Sequence, residues 1–135
     1  MAKYKAPSKN SKYYLPREDY LTAVHYALRY PLWVEELRVS ADTGKAINYD
    51  KIKVQTSITG CEVEDLAIRR VELTQKKELV DSTIHEVARG MDDYIRFAVC
   101  YGLTYDQLLA RKIPCGRRLY IEIRQRFYYE LSKKI

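Results

Sequence analysis

Between Gly102 and Ser132 three kinds of punctuation follow one another without a gap, and together they fix how this part of the chain folds. Gly102 after Tyr101 reads as a glycine closing one helix. Thr104, three residues before Gln107, has the form of a capping box that starts the next, with Leu108 and Leu109 filling it. Lys112-Ile113-Pro114-Cys115-Gly116 is then a turn, because its Pro and Gly do not share a comfortable helix. From Arg117 to about Ser132 a third helix follows. Leu119 or Tyr120, then Ile123, Phe127 and Leu131, line its apolar face. The order is short helix, tight turn, long basic helix.

Charge supports a role for that last helix. The chain of 135 residues carries a net charge of +6, and the excess lies at its two ends. Residues 1–12 hold Lys3, Lys5, Lys9 and Lys12 with no acid. Residues 13–110 are net acidic, with 12 basic and 16 acidic side chains. Residues 111–135 set eight basic side chains against Glu122 and Glu130. Positive charge concentrated on one helix and one tail is a footprint for a polyanion.

Upstream, helical spacing dominates and the expected fold class is all-α. Residues 1–15 are expected to be a flexible basic tail, and residues 16–61 a pair of N-terminal helices and a loop. Residues 62–135 then hold a long helix leading to the C-terminal helix-turn-helix. Pro16 suits a first helical position, and Glu18 and Asp19 favour the first turn. Leu21, Val24 and Leu28 mark a helix ending near Tyr30, with Pro31 interrupting it. A second short helix, about 32–39, carries Trp33, Leu37 and Val34. Turn formers Asp42, Gly44, Asn48, Asp50 and Gly60, with weak alternation at Ile52, Val54 and Ile58, predict a loop over 41–61. Residues 62–89 read as one long helix. Leu66, Leu73, Val80, Val87 and Tyr94 repeat every seven residues, while Arg70 and Lys77 spoil the companion series. Gly90 predicts a break before a helix from Asp92 to about Tyr101.

Other chemistries find little support. Cys61, Cys100 and Cys115 form no CxxC pair, and His25 and His85 stand far from them in sequence, so no metal or cofactor is expected. No phosphate-binding glycine loop, HExxH or nucleophile elbow occurs, so no enzymatic role is expected. The acid pairs Glu35-Glu36, Glu62/Glu64/Asp65 and Asp92-Asp93 fit helix starts and solvated faces. No apolar run reaches the length of a membrane span, and no signal-peptide pattern is visible, so the expected compartment is the cytoplasm.

Two helices joined by a tight turn, the second strongly basic, have the sequence form of a helix-turn-helix that binds double-stranded DNA. The early residues of the second helix face base edges in that arrangement. Arg117, Arg118, Ile121, Glu122 and Gln125 are therefore the candidate base contacts. Arg111, Lys112, Arg124, Arg126, Lys133 and Lys134, with the hydroxyl of Tyr105, are the candidate phosphate contacts.

The same residues carry a family resemblance. Tyr30-Pro31 at a helix end, a variable middle and a long charged helix precede Phe97-x-x-x-Tyr101-Gly102-Leu103-Thr104-Tyr105-x-x-Leu108-x-x-x-x-Ile113 and a basic helix. This order resembles the phage late-gene transcriptional activators of the RinA/ArpU type, whose C-terminal part is similar to region four of sigma factors. The resemblance extends loosely over residues 20–135 and is specific from about 92 to 131. It implies a bacterial-host, DNA-binding activator of packaging and structural genes, oligomeric, working by recruitment of RNA polymerase. One departure is local: Cys115-Gly116-Arg117-Arg118 stands where relatives often place Ser-x-x-Thr. Small terminase subunits combine similar parts for DNA recognition, and a helical interaction protein that does not touch DNA is a third reading.

Overall fold

The computed structural model describes residues 6–46 and 59–135. Among them every regular element is helical: α1 (Arg17–Leu28), α2 (Tyr30–Ala46), α3 (Thr59–Val87), α4 (Asp92–Cys100), α5 (Tyr105–Ala110) and α6 (Arg117–Lys134). The chain is all-α, with a helix broken near its N-terminal end, a long middle helix and three C-terminal helices. None of the helices described is long and apolar enough to cross a membrane.

The break between α1 and α2 comes earlier than the spacing predicts. Arg29 caps α1, its N–H donating to the Tyr26 carbonyl at 3.2 Å. Pro31 does not interrupt a helix but sits in the first turn of the next, where its missing N–H would have had no intrahelical partner. The helix α2 also outruns the expected 32–39 and passes through Gly44, because one glycine costs only about 1 kcal/mol. Of the loop expected over 41–61, residues 41–46 and 59–61 are instead helical, in α2 and α3. The turn formers Asn48 and Asp50 and the alternating Ile52, Val54 and Ile58 lie outside the described residues.

Two compact units result: residues 1–31 with 79–135, and residues 32–78. The division falls within α2 and α3. In the smaller unit Arg69 of α3 forms an ion pair with Glu36 of α2 at 3.2 Å, and the Arg70 guanidinium donates to the Ser40 hydroxyl. This pairing accounts for the residue that spoils the companion heptad series: Arg70 sits half-buried because it has a polar partner across the pair. Leu73 is buried, whereas Ile68 and Val71 are more than half exposed.

In the larger unit α1 packs on α6 and α4, and α4 also meets α5 and α6. The core is built from Val24, Ala27, Val80, Ile84, Ile95, Val99, Leu108, Phe127 and Leu131, all fully buried. Of the heptad positions, Val80 and Val87 here and Leu73 in the smaller unit are at most 1% exposed, whereas Leu66 and Tyr94 are half-buried. A polar cluster sits at the edge of this core. Tyr30 donates to the Asp81 carboxylate at 2.9 Å, and Arg96 reaches the same oxygen at 3.1 Å.

Two junctions depend on left-handed backbone. Arg89 and Gly90, with φ of 51° and 86°, turn the chain from α3 into α4. Gly102, with φ of 71°, follows the α4 cap at Tyr101, and Leu103 N–H reaches back to the Phe97 carbonyl. Residues 6–15 are irregular, as expected, yet they are packed. Pro7 and Leu15 are buried, and the Tyr13 ring lies 5.8 Å from that of Tyr129 on α6.

Candidate functional site

The α5–turn–α6 segment is held at each of its joints. The Thr104 hydroxyl accepts from Gln107 N–H, and the Gln107 side chain accepts from Thr104 N–H at 2.8 Å, so both arms of the capping box form. At the other end of α5, Lys112 adopts φ of 66°. Its N–H donates to Leu109 and that of Ile113 to Leu108, at 2.9 and 3.1 Å. These are the two bonds of a Schellman closure, and its apolar pair, Leu108 with Ile113, is buried.

Two tyrosines hold the turn from either side. Tyr94 of α4 donates to the carbonyls of Arg111 and Lys112, at 3.2 and 3.3 Å. Tyr105 of α5 donates to the Cys115 carbonyl at 2.8 Å. Carbonyls of a non-helical turn need such donors once water is partly excluded. The position of α6 therefore follows from residues outside it as well as from its own apolar face.

Gly116 caps α6 with extended backbone (φ −75°, ψ 165°) and provides no side-chain acceptor. Tyr120, Ile123, Phe127, Tyr128 and Leu131 face the core. Tyr120 fills the position for which spacing left Leu119 or Tyr120 open, and Tyr128 is an addition that the stripe of three apolar residues did not signal. At 100° per residue, Arg117, Arg118, Ile121 and Gln125 fall within an arc of about 100° on α6. Arg117, Arg118 and Ile121 are exposed, Gln125 is half-buried, and Glu122 lies outside this arc, also half-buried.

The expected phosphate contacts divide. Arg111 and Lys112 are exposed beside the turn, and the Arg111 guanidinium stacks 4.7 Å from the Phe97 ring centroid. Arg126 is half-buried on α6. Tyr105 requires correction as a surface donor: its only hydroxyl proton is committed to Cys115 and its ring to Tyr120, 5.2 Å away. Lys134 is likewise engaged, its ammonium lying 3.1 Å from Thr83 and 2.9 Å from Glu86. Lys133 stands over the Tyr129 ring at 4.1 Å.

Arg124 differs most from expectation. It is not an exposed phosphate clamp but lies over the rings of Tyr120 and Tyr128, at 5.8 and 5.9 Å. Burial works against its charge, but the facing Tyr128 and Tyr120 oxygens outweigh it and hold the guanidinium firmly protonated.

The thiols differ in setting. Cys100 is buried in α4, and burial pushes its thiol up to about 12. Cys115, half-buried in the turn, is raised by the same cause. Of the acid pairs noted in the sequence, Glu35 forms an ion pair with Arg38, Glu36 with Arg69 and Asp93 with Arg96, and Asp92 lies 2.8 Å from His85 Nδ1. Among the described residues no three His, Cys, Asp or Glu side chains converge as a metal site would need.

No protein-family model, curated protein or solved structure matches this chain.

Proposed function

We propose that this protein binds double-stranded DNA sequence-specifically, with α5, the turn and α6 acting as a helix-turn-helix. One observation carries the reading. The first two turns of α6 present Arg117, Arg118 and Ile121 to solvent with Gln125 beside them, while the opposite face is locked into the core. Arg can bridge guanine bidentately and Gln adenine, which is the chemistry of major-groove readout. Arg111 and Lys112 then meet phosphates and set the register, with Arg126 as a further cation on α6. The resemblance to phage late-gene activators extends this reading to regulation of phage late genes, with RNA polymerase as the partner recruited.

The exposed Ile68 and Val71 of the smaller unit are apolar surface that an oligomeric form would cover.

Capture of prophage DNA fragments by the purified protein, at low and moderate salt, tests the reading beside an Arg117→Ala/Arg118→Ala variant. A discrete site upstream of a structural operon, lost in the variant, is the expected result. Enrichment within a packaging gene would move the assignment to a terminase-like recognition protein. Absence of capture at every salt concentration would remove DNA binding altogether.

A further inference from the structure

A cavity of about 230 Å³ opens beside the first two turns of α6, lined by Thr104, Tyr105, Arg117, Tyr120, Ile121 and Arg124 among others. Arg117 and Arg124 are seven residues apart, so both come to the same side of the helix. Arg124 is the unusual member. It is half-buried, its guanidinium lies over two tyrosine rings, and no carboxylate among the described residues pairs with it. Glu122, two residues away, leaves from the other side of the helix. Ring faces offset part of the desolvation of a buried cation, but an oxyanion offsets more. The Tyr120 hydroxyl, buried next to this guanidinium, also lacks a well-aligned hydrogen bond.

We infer that this cavity takes a phosphoryl group, held between the Arg117 and Arg124 guanidiniums with the Thr104 hydroxyl at its edge. Two forked cations match the several oxygens and the charge of a phosphoryl group better than they match a single carboxylate. The Ile121 side chain and the Tyr105 ring leave room for an organic body beside it. Such a group comes either from a DNA backbone or from a free phosphate ester. In the first case Arg117 positions α6 on a phosphate, and base readout falls to Arg118, Ile121 and Gln125. The first source rests on the DNA-binding reading above, whereas the second does not.

Titration of the full chain with inorganic phosphate and with deoxythymidine monophosphate, at constant ionic strength made up with chloride, reads the site through the Arg124 Nε–H and Thr104 amide NMR signals. Saturable shifts are expected, with affinity weakened about tenfold in Arg117→Gln and in Arg124→Lys. Arg117 is exposed, so its variant keeps the fold even where Arg124→Lys loosens the ring stack. A duplex arm separates the sources. If phosphate competes with duplex, the cavity takes a backbone phosphate; if phosphate binds with duplex affinity unchanged, it takes a free ester. Shifts that chloride reproduces, or phosphate affinity unchanged in Arg117→Gln, would overturn the assignment whether or not the protein binds DNA.

Discussion

Tyr105 donates its hydroxyl to the carbonyl of Cys115 across 2.8 Å, tying the first turn of α5 to the residue that precedes the α6 cap. The bond spans ten residues and closes the loop between the two helices. Its ring rests on Tyr120, so one side chain fixes both the turn and the helix that follows.

Replacing Tyr105 with Phe keeps that ring contact and removes only the hydroxyl. The half-buried Cys115 carbonyl then loses its donor, at a cost of about 1 kcal/mol. Urea unfolding of Tyr105→Phe is expected to show this loss with an unchanged slope. A change no larger than the error of the midpoint would mean that water replaces the hydroxyl fully.

Lys112 holds left-handed backbone, which costs an ordinary L-residue about 1–2 kcal/mol. Glycine removes that strain and returns part of the gain through the greater freedom of the unfolded chain. Lys112→Gly is therefore expected to unfold within about 0.5 kcal/mol of the parent, on the stable side. Lys112→Val is expected to lose about 1–2 kcal/mol, because a β-branched residue resists this conformation most. Thermal unfolding of the pair provides the comparison.

Gly116 has the extended backbone of an N-cap, and a Cβ added there meets nothing within 4 Å. Gly116→Ser supplies the missing acceptor for the first N–H groups of α6. The expected gain is a few tenths of a kcal/mol, read as a higher denaturation midpoint. A lower midpoint would show that serine does not adopt the capping rotamer.

Alkaline pH should destabilise the fold through Cys100 and Tyr30. Burial raises both, and for Tyr30 the bond to Asp81 adds to it. Their neutral forms are favoured in the folded state, so the stabilisation is complete below the unfolded values and is lost as pH rises. For Cys100 that window runs from 9.0 to about 12. Urea midpoints measured from pH 8 upward are expected to fall above pH 9, at up to about 1.4 kcal/mol per pH unit for each group. Cys100→Ala should lessen the fall near the lower end of the window. A flat profile through pH 10.5 would contradict both assignments.

Much of this molecule was legible in its sequence because the determining interactions are short in range. The capping box needs only Thr104 and Gln107, three residues apart. The turn at 112–116 follows from Pro114 and Gly116, and the buried face of α6 from the spacing of Ile123, Phe127 and Leu131. The seven-residue series likewise located Leu73, Val80 and Val87 in buried positions. Each of these is a local rule of backbone geometry or helical period, acting before any long-range contact forms.

Tertiary structure decided what the side chains near the turn are used for. Sequence composition makes Tyr105, Arg124 and Lys134 look alike as polar groups offered to a phosphate. The partners of Lys134, Thr83 and Glu86 on α3, are about fifty residues away, and periodicity carries no record of them. Cys115 and the Tyr120 and Tyr128 rings are near in sequence to Tyr105 and Arg124, but that these rings turn away from water is set by the burial of Tyr120 and Tyr128 in the core. The cavity beside Arg117 and Arg124 belongs to the same class, since it exists only where α4, α5 and α6 meet.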